Sequence, residues 1–325
     1  MNTVSKTVCV TGGCGYIGSH ICQTLHDNGF KVIVIDNLST GYEKNLLNKE
    51  VFYKENISNK SALQNIFTKH QIDAVIHLAA SIQVEESCRM PLKYYENNTA
   101  NTIVLLEAMK EAKIKHLIFS STAAVYGGGD NTPQCEKSTL SPINPYGKSK
   151  LTAEWIINDW CQANPEISNC VLRYFNIAGA HANKKIGQRC SKASHLIKRA
   201  CQAATNKISH LTIFGSDYDT FDGTAVRDYI HVEDIASAHI HALDYLLSGG
   251  TSVTLNCGYS EGHSVKQVVS SLESILGVPI NKKWGARRKG DSAVLVADAR
   301  KIKNVLLYFF QQEWEALQII GQEVG

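Results

Sequence analysis

The chain has 325 residues, of which 44% are hydrophobic and 19% charged, and its formal net charge is +3. This composition predicts a globular protein of one large or two closely associated domains. Its cations are scattered, which excludes a basic nucleic-acid-binding arm and a membrane-surface patch. No apolar segment is long enough to span a bilayer, and the polar start MNTVSK precedes no secretory apolar region, so we expect a cytoplasmic protein.

Cysteine and histidine predict neither a disulfide framework nor a metal site. The ten cysteines are irregularly spaced, and Cys9, Cys170 and Cys257 lie in apolar runs typical of buried strands, so we expect reduced thiols. His239 and His241 lie two residues apart in the expected helix DIASAHIHALDYLL and would point away from each other. We interpret both as helix-surface histidines and expect no metal.

The first residues carry the pattern of a dinucleotide site. KTVCVTGG predicts a strand that ends at paired glycines, and YIGSHICQTLHDNG predicts a helix with Ile17, Ile21 and Leu25 at intervals of four. The turn between them, GGCGYIG, contains the spacing G-x-G-x-x-G. Such glycines permit a tight turn and the close approach of a pyrophosphate, which the free N–H groups at the helix N-terminus bind.

A second predicted strand, KVIVID, ends at Asp36. Its carboxylate can accept hydrogen bonds from both hydroxyls of an adenosine ribose. The following residues, NLSTG, contain no arginine, and a carboxylate would repel a 2′-phosphate. The sequence therefore predicts NAD as the cofactor in preference to NADP.

The rest of the N-terminal half alternates between helix-like and strand-like segments. DAVIHLAA at 73–80, KHLIFSST at 115–122 and NCVLRYFN at 169–176 predict further strands. The alternation predicts an α/β fold with a doubly wound, Rossmann-type parallel sheet. Ligands of such sheets lie at the carboxyl ends of the strands, which is where Ala79, Thr122 and Asn176 fall.

The stretch NPYGKSK places Tyr146 four residues before Lys150 in the first turn of an expected helix. Both side chains then leave the same helix face, where the ammonium favours the phenolate. Thr122 ends the preceding strand, and we expect its hydroxyl, rather than that of Ser120 or Ser121, to meet the pair beside a nicotinamide. A tyrosinate base, a hydroxyl partner and a lysine cation are the groups that hydride transfer at a carbinol requires.

The domain organisation is predicted from the same pattern. We expect residues 1–176 to form the cofactor domain, and 177–325 to form mainly a smaller mixed α/β substrate-binding domain. Residues from about 225 to 258 are expected to return to the cofactor domain, with the active site in the cleft between the two parts. Arg227 and Arg288 lie in polar, turn-rich stretches, and their guanidinium groups match a diphosphate in geometry and charge.

From about residue 6 to 303 the chain resembles the extended short-chain dehydrogenase/reductase family. The resemblance rests on VTGGCGYIGSH, VIDNLSTG, SSTAAVYG, NPYGKSK, LRYFNIAGAH, IFGSDYDTFDGTAVRDYIHVEDIA and ARRKGD. It implies NAD-dependent 4-epimerisation of a UDP-hexose, from UDP-galactose to UDP-glucose, through a transient 4-keto sugar. It also implies a homodimer and assigns catalysis to Thr122, Tyr146 and Lys150.

The resemblance further implies two sets of ligand contacts. The cofactor contacts would be Gly12, Gly15, Tyr16, Ile17, Asp36, Asn37, Leu38, Asn56, Ile57, Leu78, Ala79, Asn98, Tyr146, Lys150 and Phe175. The contacts to the UDP-sugar would be Thr122, Asn176, His195, Leu196, Thr212, Phe214, Arg227, Arg288, Asp291 and Leu295.

Three features depart from the family's pattern. Asn56 stands where the family often has Asp, so we expect an altered contact to adenine. Leu295 stands where some members carry Tyr; it either leaves room for an N-acetylhexosamine or is only a buried packing residue. The residues from about 304 lack the usual Leu-Gly-Trp segment, so we expect them either to pack differently or not to be well ordered.

Three alternative functions are weighed against this one. A sugar-nucleotide 4,6-dehydratase is disfavoured because that family has Thr-Asp-Glu where this chain has Thr122, Ala123 and Ala124. A UDP-glucuronate 4-epimerase, or another sugar-nucleotide 4-epimerase, would differ only in the sugar pocket. A non-catalytic NAD-binding sensor is disfavoured by the intact set of Thr122, Tyr146 and Lys150.

Overall fold

The computed structural model describes residues 5–48, 50–128, 132–183, 185–189, 194–288 and 290–307. Within them the strands are β1 (Thr7–Thr11), β2 (Lys31–Ile35), β3 (Val51–Tyr53), β4 (Ala74–His77), β5 (His116–Thr122), β6 (Ser168–Tyr174), β7 (Asn176–Ala178), β8 (Leu211–Phe214), β9 (Val226–His231), β10 (Val253–Cys257), β11 (Gly262–Ser264), β12 (Lys282–Gly285) and β13 (Val294–Leu295). The α-helices are α1 (Tyr16–Asp27), α2 (Lys60–His70), α3 (Val84–Arg89), α4 (Pro91–Tyr95), α5 (Asn101–Glu111), α6 (Pro145–Ala163), α7 (Leu196–Ala204), α8 (Val232–Leu247), α9 (Val265–Leu276) and α10 (Arg300–Leu306).

A seven-stranded sheet forms the centre of the described chain. Its strand order is β10-β6-β5-β4-β1-β2-β3, and all neighbouring strands are parallel. This confirms the predicted doubly wound, Rossmann-type sheet. The chain runs outward from β1 to β3 and then crosses to β4 on the other side of β1, so the sheet has its switch point between β1 and β4, where ligands of such sheets bind. Strand β3 escaped the sequence analysis because its three residues show no period.

Helices cover both faces of this sheet, which explains why its strands are continuous apolar runs. Along β1, Val8 and Val10 belong to the core cluster formed with α1 and α8. Cys9 points to the opposite face, into the cluster formed with α2, α5 and α6. Successive residues therefore supply two separate cores.

A second sheet lies in the C-terminal half, in the order β11-β9-β13, and β7 also pairs with β9. Strands β8 and β12 form a separate parallel pair. Of the segment 225–258 that was expected to return to the cofactor domain, α8 packs on α1 and β10 extends the large sheet, whereas β9 is central to the second sheet. All six side chains of β9 are buried, so the placement of Arg227 in a polar, turn-rich stretch was wrong.

The structure shows where the cysteines and His239 lie relative to the predictions. Cys9, Cys170 and Cys257 lie fully buried in strands, as predicted, and none of the nine described cysteines forms a disulfide. His239, expected on a helix surface, is instead fully buried. Its Nε2 lies 2.7 Å from the Tyr174 hydroxyl and its Nδ1 lies 2.8 Å from the Ile235 carbonyl oxygen, so both ring nitrogens are satisfied inside the core.

Three further observations concern membrane-spanning helices, metal sites and the C-terminal residues. None of its helices combines the length and apolar character that a membrane crossing requires. Its histidine, cysteine and carboxylate side chains form no cluster that could hold a metal ion. Helix α10 ends at Leu306, and the expectation of altered packing from about 304 otherwise falls on residues 308–325, which lie outside the described residues.

Candidate active site

The turn between β1 and α1 is closed tightly by its glycines. Gly12 has φ +76°, a conformation that favours glycine, and it lies against the backbone of Ala79. A Cβ atom on Gly18 would overlap the carbonyl oxygen of Gly12 and lie 2.7 Å from Cα of Gly13. Gly15 is the N-cap residue of helix α1 and offers no side-chain cap, so the N-terminus of the helix is open to an anion.

Asp36 lies directly after β2 and connects this turn to the next loop. Its Oδ2 accepts a hydrogen bond from the Cys14 backbone N–H at 3.0 Å, and its Oδ1 accepts one from the Leu38 N–H at 2.8 Å. Burial raises the pKa of the Asp36 carboxyl, and the two backbone donors oppose that shift. Each oxygen retains a further lone pair, which a ribose hydroxyl can use.

The other residues assigned to the cofactor lie along the same edge of the sheet. Leu78 and Ala79 follow β4, Asn37 and Leu38 follow β2, and Asn56 and buried Ile57 follow β3. Tyr16 and Ile17 open α1, and the Tyr16 hydroxyl donates to the Gly179 carbonyl at 2.5 Å. Asn98 is buried and bonds Ser81 and Ser149, so it ties the loop after β4 to α6. The parallel strands thus collect these positions at their carboxyl ends.

Thr122, Tyr146 and Lys150 come together at the end of β5. The side chain of Asn144 caps α6 by accepting a hydrogen bond from the Gly147 N–H at 2.9 Å, with Pro145 at the first helical position. This cap fixes the start of the helix, and the side chain of Tyr146 lies near that of Thr122, whose hydroxyl lowers the pKa of the phenol. The preference for Thr122 over its serine neighbours rests on the same strand end, where its Oγ1 also accepts from the Ala124 N–H at 3.2 Å.

Burial dominates the electrostatics of the pair. It raises the pKa of Tyr146, and the hydroxyl of Thr122 opposes that shift. It also lowers the pKa of Lys150 to about 7, against the attraction of Glu154. The expectation that the ammonium makes the phenol more acidic is therefore wrong for the protein alone. The burial of Tyr146 raises its pKa more than the charge of Lys150 lowers it, because that lysine is itself only partly protonated at neutral pH.

The residues assigned to the diphosphate lie in the second half of the chain. Buried Arg227 donates to the Asp291 carboxylate and to the carbonyl oxygens of Ser292 at 2.7 Å and Val226 at 2.8 Å. Arg288 is exposed, and its guanidinium lies 4.1 Å from the centre of the Phe214 ring. The two arginines are therefore not equivalent: one is held by the fold and the other reaches solvent.

Two contacts bring this half towards the catalytic side chains. The Asn144 side chain donates to the Gly290 carbonyl at 3.4 Å, next to Asp291. Leu295 packs, partly buried, against a cluster that contains Ala123 and Phe175. Asn176 follows Phe175 with an exposed side chain at the end of the sheet.

Three assigned sugar-nucleotide residues lie on or next to α7 and β8. Leu196 opens α7 and Thr212 lies on β8, and both belong to the layer of α7, α9, β8 and β12. His195 precedes α7 and is hydrogen-bonded to Gln188. The carboxyl edge of the large sheet holds Thr122 and the residues assigned to the cofactor, whereas Phe214 and Arg227 lie on β8 and β9, outside that sheet.

The sequence analysis missed a buried ion pair behind the site, between Glu154 and Arg173. Two signals were present in the sequence. Arg173 is a lone charge within the apolar strand NCVLRYFN, and a buried charge requires a partner. Glu154 lies four residues after Lys150, so it shares the helix face of the catalytic pair.

Comparison with known proteins places the chain among enzymes of one family. The sequence model of the NAD dependent epimerase/dehydratase family matches residues 8–258. The UDP-glucose 4-epimerase of Azospirillum brasilense is 46% identical over 302 residues, which cover 93% of this chain and 86% of that protein. The UDP-glucose 4-epimerase of Bacillus subtilis (strain 168) is 39% identical over 317 residues, covering 95% of this chain and 92% of that protein.

Solved structures give the same result. The UDP-glucose 4-epimerase of Brucella ovis in complex with NAD superposes with a TM-score of 0.94 at 36% identity, covering 98% of each chain. The UDP-Glc/GlcNAc 4-epimerase of Campylobacter jejuni superposes with a TM-score of 0.84 at 42% identity, again covering 98% of each chain.

Proposed function

This chain belongs to the NAD dependent epimerase/dehydratase family, and we propose that it is a UDP-glucose 4-epimerase that converts UDP-galactose to UDP-glucose through a transient 4-keto sugar. The observation that carries the proposal is the meeting of Thr122, Tyr146 and Lys150 at the carboxyl edge of the sheet, beside the glycine turn. Hydride transfer at a carbinol needs this set of groups.

The residues at the first turn fit NAD. A side chain on Gly12 would collide with the backbone of Ala79, and one on Gly18 with that of Gly12 and Gly13, so these glycines keep the turn tight. The N-terminus of α1 offers N–H groups to the phosphates. The Asp36 carboxylate suits a ribose without a 2′-phosphate. When bound there, NAD would supply the hydride acceptor and donor for the oxidation and reduction at C4 of the hexose.

Tyr146 acts on the proton of the sugar's C4 hydroxyl. Its phenolic oxygen takes that proton as the carbinol is oxidised and gives it back when the ketone is reduced, so one residue serves as base and acid. Thr122 donates a hydrogen bond to the same oxygens and steadies the phenolate. Lys150, buried one helical turn away, balances the negative charge of the tyrosinate when it is an ammonium.

The nucleotide part of the substrate is held by the second half of the chain. Arg227 and Arg288 offer guanidinium groups to the diphosphate, with Asn176, His195, Leu196, Thr212, Phe214 and Asp291 around the UDP-sugar. The exposed guanidinium of Arg288 is available to a ligand in solution, whereas Arg227 is already engaged by Asp291. Arg227 therefore contributes a fixed positive charge, and Arg288 closes on the substrate. Firm contacts to UDP and few to the hexose allow the ketone to turn over in the pocket.

Leu295 supports a wider choice of hexose. Its side chain is partly buried beside Phe175, which leaves part of it free to contact a bound sugar. A leucine leaves more room there than a tyrosine, which supports turnover of the N-acetylhexosamine pair. The similarity to a UDP-Glc/GlcNAc 4-epimerase is consistent with this proposal.

Assembly and organisation are proposed on the same basis. Residues 1–176 with α8 and β10 would form the cofactor domain, and the rest of 177–325 the substrate domain. Leu92, Ile103 and Trp155 are exposed apolar residues on α4, α5 and α6, which supports a homodimer through this face. Light scattering would then give twice the chain mass of 35.8 kDa. We place the enzyme in the cytoplasm and in galactose metabolism.

The proposal is tested by incubating the purified protein, without added cofactor, with UDP-galactose, UDP-N-acetylgalactosamine and UDP-glucuronate in separate reactions. We expect 4-epimers from the first two substrates. Product from UDP-galactose alone would contradict the proposal that Leu295 admits N-acetylhexosamines. Product from UDP-glucuronate alone would show that the substrate is a UDP-uronate and not a UDP-hexose. The absence of product from all three would favour a non-catalytic NAD-binding protein.

A further inference from the structure

A fully buried ion pair lies behind the proposed catalytic side chains. Arg173 on β6 holds Glu154 on α6 with two hydrogen bonds, from Nη2 to Oε2 at 2.7 Å and from Nε to Oε1 at 3.1 Å. Glu154 is 2% exposed and Arg173 is 4% exposed. Burying two charges costs several kcal/mol per ion before their attraction is counted, and apolar residues of similar volume often serve stability as well. A role in the reaction would explain why this position has a buried ion pair and not two apolar residues.

The pair connects the elements that carry the catalytic groups. Glu154 lies on the same helix as Tyr146 and Lys150, two turns and one turn after them. The hydroxyl of Ser121 donates to its carboxylate, and Ser121 directly precedes Thr122 in β5. The carboxylate therefore joins α6 to the strand end that supplies Thr122.

Arg173 extends the same network to the other side of the site. Its Nη1 donates to the Tyr126 hydroxyl at 2.9 Å, and Tyr126 donates to Oδ1 of Asn256 at 2.6 Å. Tyr126 lies in the turn that follows Thr122, and Asn256 lies in β10. Three neighbouring strands and α6 are thus fixed relative to one another by buried, hydrogen-bonded groups, which rigidify when every member is satisfied.

The charge of Glu154 also acts on Lys150. The two residues are buried four positions apart on one helix face, and the carboxylate raises the pKa of the lysine, which burial lowers to about 7. On its other side, the Lys150 ammonium lies 4.3 Å from the centre of the Phe119 ring, which offers a weaker attraction than a carboxylate.

Other titratable groups face the catalytic pair from each packed element. The charge of Lys150 and burial together lower the pKa of His77 to about 3, so that histidine is neutral. Tyr94 and Tyr174 both act electrostatically with Tyr146 and are kept as phenols, because burial raises their pKa values. Arg173 carries the remaining nearby positive charge and is tied to Glu154. Glu154 is accordingly the carboxylate whose charge bears on Lys150 among the described residues.

We propose that Glu154, held by Arg173, is a positioning residue of the epimerisation: it fixes Thr122 through Ser121 and supplies the negative charge that keeps Lys150 an ammonium. This inference rests on the proposed function. It assigns Glu154 no contact with substrate or cofactor, and its effect is exerted through Thr122 and Lys150.

The charge effect has a defined sign. A carboxylate favours the protonated forms of both Tyr146 and Lys150, so its removal lowers both pKa values. Glu154→Gln also leaves the Arg173 charge without a partner, which acts in the same direction. The plot of kcat against pH has an acidic limb and a basic limb, which report these two pKa values. Both limbs should then move to lower pH, by about one unit or more. The double variant Glu154→Gln with Arg173→Gln also removes the unpaired Arg173 charge but does not restore the carboxylate beside Lys150, so its limbs should lie between those of Glu154→Gln and the wild type.

The experiment measures kcat and KM for UDP-galactose from pH 5.5 to 10 in the wild type and the variants. Asp159→Asn is the matched control, because it makes the same change of charge on the exposed face of α6. We expect its limbs to stay in place. A lower kcat in Glu154→Gln with unmoved limbs, or wild-type limbs in the double variant, would show that Glu154 is only structural and overturn the charge role.

Ser121→Ala tests the positioning role without altering any buried charge. We expect kcat to fall about tenfold, with KM and both limbs unchanged, because Thr122 loses its fixed place. A wild-type kcat in this variant would overturn the positioning role, even if Glu154→Gln yields no folded protein. Failure of the wild-type protein to epimerise any substrate would instead refute the proposed function, and the two failures are therefore distinguishable.

Discussion

The side chain of Thr122, at the end of β5, interacts with that of Tyr146, in the first turn of α6, closely enough to lower the pKa of the phenol. The two residues are far apart in sequence, and the Asn144 cap sets the start of the helix that brings them together. This interaction is the described contact that most directly lowers the pKa of the buried phenol. It links the proton-transferring group to the sheet that positions the ligands.

Replacing Thr122 by valine should remove this interaction while keeping the side-chain shape. Because hydrogen bonds to a charged group contribute about 1.5 to 3 kcal/mol, we expect kcat to fall about 10- to 100-fold. Thr122→Ser keeps the hydroxyl and should retain most of the activity. Steady-state kinetics with UDP-galactose measures both variants, and equal activity in the two would contradict the role of the hydroxyl.

Tyr146→Phe should leave NAD bound and remove turnover. The ring still fills its place beside Tyr94, with ring centres 6.4 Å apart in the wild type, but the group that moves the proton is lost. We expect kcat to fall at least about 100-fold. Bound NAD is measured after acid denaturation, and Tyr245→Phe on α8 is a control that should behave as the wild type. Undiminished epimerisation by Tyr146→Phe would refute the assignment.

Gly18→Ala should reduce the NAD content of the purified protein. The added Cβ would lie 2.7 Å from Cα of Gly13 and overlap the Gly12 carbonyl, so the turn must move. We expect a loss of about 1 to 3 kcal/mol in stability together with the loss of cofactor. Gly128→Ala is the control, because nothing lies within 4 Å of its Cβ position. Full NAD content in Gly18→Ala would contradict a close approach of the cofactor.

Leu295→Tyr should narrow the range of hexoses. The larger side chain takes space beside Phe175, so we expect kcat/KM for UDP-N-acetylgalactosamine to fall at least about tenfold relative to that for UDP-galactose. Leu295→Met keeps the volume and should preserve the wild-type ratio. Equal losses for both substrates would show that Leu295 only packs.

His239→Gln should make the stability of the protein less dependent on pH. Burial lowers the pKa of His239 to about 4, whereas an unfolded histidine titrates near 6.5. Between these values the unfolded state binds the proton first, so the stability that the neutral histidine allows is lost as the pH falls. The slope due to this group is about 1.4 kcal/mol per pH unit.

Urea unfolding at pH 6.5, 5.5 and 4.5 measures this slope. We expect a shallower dependence in His239→Gln than in the wild type, and no such change in His26→Gln, which alters an exposed histidine. Asp228, whose pKa burial raises to about 7, contributes with the opposite sign, so the variants are compared by difference. Parallel curves for the wild type and His239→Gln would rule out this titration.

The sequence determined the features that depend on local spacing. The glycine turn, the position of Asp36 and the one-turn separation of Tyr146 and Lys150 follow from strand and helix periods over a few residues, and the structure has them where they were expected. The doubly wound sheet followed from the alternation of such elements, because a parallel crossover leaves few other arrangements. Strand β3 was too short to show a period.

Only the tertiary structure decided which side chains are buried and which residues, distant in sequence, are in contact. Burial of Arg227 and His239 depends on sheets and helices that pack from other parts of the chain. The pairing of Glu154 with Arg173 depends on the placement of α6 against β6, and no spacing rule specifies it. Burial is the main cause of the pKa shifts of Tyr146 and Lys150. It depends on all the residues that surround these side chains, so it arises only when the chain is folded.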